Sequence, residues 1–240
     1  MIDINHITKE FPGKKAVDDL TLTVENGKIF GFLGPNGAGK STTIKMMTGI
    51  LPVEKGTITI NGFDIMKDPL KAKQMIGYVP DRSDVFLRLK GIEYLNFIAD
   101  VYRVPADVRQ ERIERYTKVF DIYESLNDYI QTYSHGMRQK IVVCGVLLHE
   151  PDIWILDEPL TGLDPKSSYT LKNLMREHAD KGNVVFFSTH VLEVVEQLCD
   201  EVAIINRGQI EFHGQMSEMK QEFKNDENLE KVFLELTQNE

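Results

Sequence analysis

The sequence predicts an α/β fold in which a mainly parallel sheet is joined to an antiparallel β subdomain and interrupted by an inserted α-helical subdomain. Three observations carry that expectation. Short apolar runs at Ile29–Leu33, Ile153–Leu156, Val184–Phe187 and Val202–Ile205 read as buried strands, and strands alternating with helices make a doubly covered, mainly parallel sheet. The stretches Ile2–Ile7, Leu20–Val24 and Thr57–Ile60 instead alternate apolar with polar positions, as half-exposed antiparallel strands do. Between about residues 85 and 150 the apolar period lengthens to that of helices.

In chain order, Ile2, Ile4 and Ile7 mark one strand, and Leu20, Leu22 and Val24 the next. Thr57–Ile60 alternates again and stops at the turn pair Asn61-Gly62. From about Gly91, the residues Ile92, Leu95, Ala99 and Tyr102 fall on one helical face, and Val104-Pro105 ends that helix. Ile113 to Phe120 reads as a second helix. A third opens near Ser134 and carries Met137, Ile141, Cys144 and Leu148 on one stripe, with Pro151 beyond its end. A further helix is expected from about Val191 to Leu198. The tail residues Leu229, Val232, Phe233 and Leu236 form an amphipathic pattern that needs a surface to lie on. The expected organisation is a single domain over 1–240. Its core is 1–84 and 151–215, its helical subdomain 85–150, and its helical tail 216–240.

Composition narrows the function classes. The 240 residues are 42% apolar and 27% charged, ordinary for a soluble globular chain. No signal pattern opens the chain, and its apolar runs fall far short of the roughly 20 residues that span a bilayer. Any membrane part is expected from another chain. The net charge is −9, about −4 of it in Ser217–Glu240, and no run of Lys/Arg appears, which weighs against a nucleic-acid partner. Cys144 and Cys199 lie in apolar helical patterns and read as buried reduced thiols.

The stretch Gly34, Pro35, Asn36, Gly37, Ala38, Gly39, Lys40, Ser41 fits the phosphate-binding loop G-x-x-x-x-G-K-[ST], after a strand and before a helix, with Thr42 following. Gly37 and Gly39 let the backbone curl so that N–H groups point at phosphate oxygens. Lys40 sets a charge on the β- and γ-phosphates, Ser41 offers a hydroxyl to Mg²⁺, and the helix adds its positive end. This is the core of a P-loop nucleoside-triphosphatase. In IWILDEP, Ile153–Pro159, Asp157 emerges at the carboxyl end of a buried strand, where ligands bind in open α/β sheets. A carboxylate there holds Mg²⁺, usually through water, and Glu158 beside it can accept a proton from attacking water.

YSHGMRQ, Tyr133–Gln139, opens a helix before that strand. Ser134 is a sound N-cap, Gly136 permits close backbone approach, and the helix amino end with Arg138 makes an anion site. An ordinary capped helix would look the same. Taken with the phosphate loop and IWILDEP, however, the run resembles the ATP-binding cassette (ABC) family, whose signature LSGGQ stands in this place. Ser134 and Gly136 match it, whereas Tyr133, His135 and Met137 depart from it. The resemblance covers essentially the whole chain. It implies that LTGLD, Leu160–Asp164, is the loop crossing a dimer interface, with Asp164 at its key position. It also implies that His190 in FFSTH is the switch histidine at the γ-phosphate, and that Phe11 in KEFPGKKAV stacks on adenine. The residues alone leave His190 open as a capping or surface residue and Phe11 as a core phenylalanine.

One departure stands out. After IGYVP the family usually has Gln, where this chain has Asp81. Asp81 offers oxygen to Mg²⁺ and water but is shorter and ionised, and a plain turn role stays open. The resemblance implies ATP and Mg²⁺ as ligands, a second cassette copy and a separate transmembrane permease as partners, and a place at the cytoplasmic face of the membrane. The ending NLEKVFLELT looks like the tails of bacterial export ATPases for drugs, antibiotics or peptides. Rival readings are a soluble cassette of translation or DNA repair, which would bring tandem cassettes or coiled coils, and a GTPase, which would bring Asn-Lys-x-Asp. A non-catalytic partner cassette is kept open by Asp81 and the altered signature, against Glu158 and His190.

Overall fold

The computed structural model describes residues 1–83 and 86–222. Two sheets form its frame. The first is antiparallel and contains β1 (Ile2–Phe11), β2 (Lys14–Val24), β4 (Lys55–Ile60) and β5 (Phe63–Asp64), in the order β2-β1-β4-β5. The second contains β3 (Ile29–Leu33), β6 (Ile76–Val79), β7 (Ile153–Asp157), β8 (Val184–Thr189), β9 (Glu201–Asn206) and β10 (Gln209–Gln215). Its order is β10-β9-β3-β8-β7-β6, parallel throughout except for β10 against β9.

The apolar strands follow from burial on both faces. Phe30, Phe32, Ile153, Ile155, Val184 and Phe186 point into the layer shared with the antiparallel sheet, where Phe30 stacks on Phe186 at 5.5 Å. Their neighbours Trp154, Leu156, Val185 and Phe187 point to the opposite, helix-covered side. Side chains that alternate across a strand thus load two cores from one run.

Helices α1 (Lys40–Met47) and α2 (Pro69–Gln74) precede the insertion, which contains α3 (Gly91–Val101), α4 (Ala106–Val119) and α5 (His135–Leu148). Then come α6 (Pro165–Asp180), α7 (Leu192–Leu198) and α8 (Met216–Glu222). The expected strands and the three inserted helices are present. α2, α6, β5, β6 and β10 are additions to the sequence reading. α6 buries Leu171, Met175 and Ala179 four apart, a stripe set within a mostly polar helix. β10 alternates exposed and half-buried positions, so it carries no apolar run to announce it. Cys144 and Cys199 are free thiols, and burial pushes both above their ordinary value. Among the described residues no helix is long and apolar enough to cross a membrane. The expected tail stripe Leu229, Val232, Phe233 and Leu236 lies outside the described residues.

Candidate nucleotide-binding and hydrolysis site

Backbone contacts shape the phosphate loop. The Gly34 N–H donates to the Thr189 carbonyl at 3.3 Å, and a Cβ at Gly34 would stand 2.4 Å from the Ile205 carbonyl oxygen. Gly39 has φ +115°, and a Cβ there would meet the Ala16 carbonyl at 2.5 Å. Only glycine meets both demands. Ala38 donates to Pro35 and accepts from Gly208 N at 2.8 Å, which ties the loop to the turn between β9 and β10. Lys40, the first residue of α1, folds back so that Nζ donates to the Gly34 carbonyl at 2.6 Å and the Pro35 carbonyl at 3.2 Å. Its ammonium also lies 3.6 Å from Glu158 Oε1. Burial pushes Lys40 below its ordinary pKa, and the Glu158 carboxylate opposes that shift.

A cavity of about 380 Å³ opens over this loop. Pro35, Asn36, Gly37, Gly39, Lys40, Ser41 and Thr42 form its floor, and Phe11, Asp81, Glu158 and His190 reach it from other segments. Gly34 and Ala38 lie behind the floor. Phe11 is 42% exposed, so it is no core phenylalanine; it pairs with Lys14 across the β1–β2 hairpin tip. Lys14 lines the same wall, with Nζ 3.3 Å from the Gly37 carbonyl.

Asp157 and Glu158 take opposite environments although they are adjacent. Asp157 ends β7 and is 2% exposed; Glu158 turns out at φ +48°, a left-handed conformation uncommon for a side-chain-bearing residue. That turn carries the Glu158 carboxylate to 3.1 Å from His190 Nδ1. Ser188, unselected in the sequence, joins the pair from β8: its hydroxyl donates to Asp157 Oδ1 at 2.6 Å and accepts the Glu158 N–H at 3.1 Å.

The donors suit magnesium. Ser41, Asp81 and Asp157 offer hard oxygens along one adjoining cavity. Among the described residues no cluster of three His, Cys, Asp or Glu side chains forms a dedicated metal cage. An ion that keeps water and phosphate oxygens as ligands needs none. The glycine cradle below, with Lys40 buried in it, suits a phosphate chain.

The signature region is built differently. Ser134 caps α5 by accepting the Met137 N–H at 3.2 Å. A Cβ at Gly136 would lie 2.7 Å from the Gly162 carbonyl oxygen, so its glycine serves a close approach within this chain. Asp164 caps α6, accepting Ser167 N–H at 2.9 Å and the Ser167 hydroxyl at 2.7 Å, and pairs with Lys140 Nζ at 2.7 Å. Lys140 and Ser167 together hold the Asp164 carboxyl well below the usual carboxylate range. Buried Gln139 accepts from the Ser83 hydroxyl and donates to the Pro159 carbonyl at 3.4 Å. Arg138, near the helix amino end, donates to the Ile130 and Gln131 carbonyls at 3.3 and 2.9 Å. Ser134, Gly136 and Asp164 line no part of the 380 Å³ cavity.

The geometry is that of a P-loop nucleoside-triphosphatase. Comparison with known proteins sharpens it. A sequence model described as ABC transporter matches residues 17–161. The ABC transporter ATP-binding protein NatA of Bacillus subtilis (strain 168) is 34% identical over 239 residues, covering 98% of this chain and 97% of NatA. The linearmycin resistance ATP-binding protein LnrL of the same organism is 35% identical over 210 residues, covering 88% of this chain and 68% of LnrL. A solved ATP-binding subunit of an ABC transporter superposes with a TM-score of 0.92 at 28% identity, over 98% of this chain and 99% of that one. The chain therefore belongs to the ABC transporter family, as an ATP-binding subunit and ATPase.

Proposed function

We propose that this subunit drives an exporter at the cytoplasmic face of the membrane, closing as a pair on two ATP molecules beneath a separate permease. The observation that carries the pairing is the division of the site. Lys40, Glu158 and His190 converge on one cavity, while Ser134, Gly136 and Asp164 stand outside it on the same chain. Ser134 is exposed at an α-helix amino end, so a second copy can bring it to the γ-phosphate of this one. The export reading rests on resemblance to a relative named for linearmycin resistance.

In this reading Phe11 stacks on the base, and the loop from Gly34 to Thr42 holds the phosphates. Ser41 and Asp157, with Asp81 as a further oxygen, would hold Mg²⁺, which neutralises charge on the β- and γ-phosphates. In the free subunit Lys40 faces Glu158. A bound triphosphate draws the Lys40 ammonium to itself, and Glu158 is released to take a proton from the attacking water. His190, oriented by Glu158, hydrogen-bonds the γ-phosphate. Loss of that phosphate removes the contact that joins the two copies, and the pair opens.

The test is Glu158→Gln, which keeps the side chain's size and loses proton acceptance. Hydrolysis should fall by about 10²–10⁴-fold. With ATP and Mg²⁺ the variant should run as a dimer by size-exclusion chromatography with light scattering. Adding Ser134→Arg should return it to monomer by placing bulk at the shared face. A Glu158→Gln protein that stays monomeric, alone and with its permease, contradicts the pairing.

A further inference from the structure

We propose that Ser188 is a positioning residue for magnesium-dependent hydrolysis, fixing the metal-holding carboxylate and the backbone of the base with one hydroxyl. The inference rests on the reading of Asp157 as metal ligand and Glu158 as base. Ser188 is 0% exposed and stands opposite Asp157 in the β7–β8 register, so both residues come from the last rungs of two buried parallel strands. A serine hydroxyl has one proton and two lone pairs. Here the proton goes to Asp157 Oδ1 at 2.6 Å, a short charge-assisted bond, so the oxygen that receives the Glu158 N–H at 3.1 Å does so through a lone pair.

The two bonds do different work. The first commits one oxygen of Asp157 and fixes the carboxylate's rotation, so its remaining acceptor capacity has one direction. Asp157 lines the same cavity as Ser41, the other oxygen donor at the foot of the phosphate loop. The second holds the Glu158 amide just where the chain adopts φ +48°. A strained residue keeps such a conformation only when its surroundings over-determine it. At Glu158 the Ser188 bond fixes the amide side and the His190 contact at 3.1 Å fixes the carboxylate side. A residue that lines neither cavity thereby sets the spacing between metal site and base.

The experiment measures Mn²⁺ affinity in the presence of ATP, from the electron paramagnetic resonance signal of free Mn²⁺. Metal-free binding of a fluorescent ATP analogue and steady-state hydrolysis accompany it. Ser188→Ala should bind the analogue within two-fold of wild type, which also reports a folded protein. Its Mn²⁺ affinity should fall by about ten-fold, the scale of a lost hydrogen bond to a charged group. Its kcat should drop by at least as much, with KM for ATP at saturating Mg²⁺ little changed. Ser188→Thr, which keeps the hydroxyl, should recover both. Ser188→Cys keeps the size but donates poorly, and should fall between; it carries the test if the alanine variant does not fold. Asp157→Asn separates the two layers of the argument. If it weakens Mn²⁺ binding and Ser188→Ala does not, the Ser188 role is overturned and the metal reading stands. If neither weakens it, the metal reading falls and the Ser188 role with it.

Discussion

Around the phosphate loop, side chains from separate segments converge on one cavity, whereas at the start of α5 the comparable residues turn to their own chain. Lys40 is braced by two carbonyls of its own loop and faces Glu158 across the cavity. Ser134 and Asp164 are helix caps, Gly136 makes room for Gly162, and Lys140 holds Asp164. The first region is a site that needs a ligand. The second is a surface whose polar groups are already paired within the chain. In the proposed pairing, a second copy's bound phosphate would meet that surface at the amino end of α5. The difference teaches that the two half-sites can be broken separately.

The largest effect should come from the cavity side. Lys40→Ala removes the charge from the phosphates and should cost hydrolysis at least 10²–10³-fold. If the two regions are independent, Lys140 and Asp164 remain paired in that variant and its thermal stability stays close to wild type. Near wild-type ATPase activity would break the assignment of the cavity.

Asp81→Ala comes next. Asp81 shares walls with Ser41 on two adjoining cavities. Hydrolysis should fall roughly ten-fold, with one charged oxygen lost, while ATP binding changes only a few-fold. Asp81→Gln should keep part of the rate. Normal hydrolysis by Asp81→Ala in the presence of the permease would reduce the residue to a turn former.

Gly136→Ala sharpens the other side. Its methyl must displace the Gly162 carbonyl, and overpacking of this kind costs about 1–3 kcal/mol. Binding of ATP to the isolated subunit should be unchanged, while cooperative hydrolysis falls several-fold because the loop leading to Asp164 moves. A drop in binding to the monomer would mean that the regions are not separable.

The smallest effect is expected from Lys140→Met, read as thermal stability against pH. Asp164 titrates below the ordinary carboxylate range in the folded protein, so its pairing stabilises above the unfolded value of about 3.9 and is lost as pH falls through the folded one. The gap between variant and wild type should therefore stay constant from about pH 5 to 8 and close only in strong acid.

Sequence pattern reached the cavity and stopped short of its supports. Gly34–Ser41, Asp157 and Glu158 are legible because phosphate, metal and base chemistry require those residue types in sequence order. Their strands are legible because both faces are buried, which leaves unbroken apolar runs. Ser188 was hidden because its role is set by the pairing of Asp157 with Ser188 across two strands, and no local spacing encodes that register. Gln139 and Lys140 were hidden for a related reason: on α5 they look like the polar face of an amphipathic helix. Gln139 is nevertheless buried, and both reach Pro159–Asp164, a segment about twenty residues on. The α6 stripe was there to be read, since Leu171, Met175 and Ala179 repeat every four residues, but the polar residues between them diluted it.

The hairpin tip bears on which nucleotide the subunit consumes. With Phe11 as the proposed platform for the base, the neighbouring side chains on that wall are Lys14 and Ala16. A ring face stacks on any base, while telling adenine from guanine takes hydrogen bonds to their edges. An ammonium donates and accepts nothing, and phenylalanine and alanine do neither. Of those three side chains only the Lys14 ammonium can hydrogen-bond a base edge, and a lone donor does not tell adenine from guanine, since both present acceptors. In the proposed reading the phosphate chain, by contrast, would meet Lys40, Ser41 and the backbone amides of the phosphate loop. In the proposed reading the phosphate contacts therefore carry more of the recognition than this wall of the base site does.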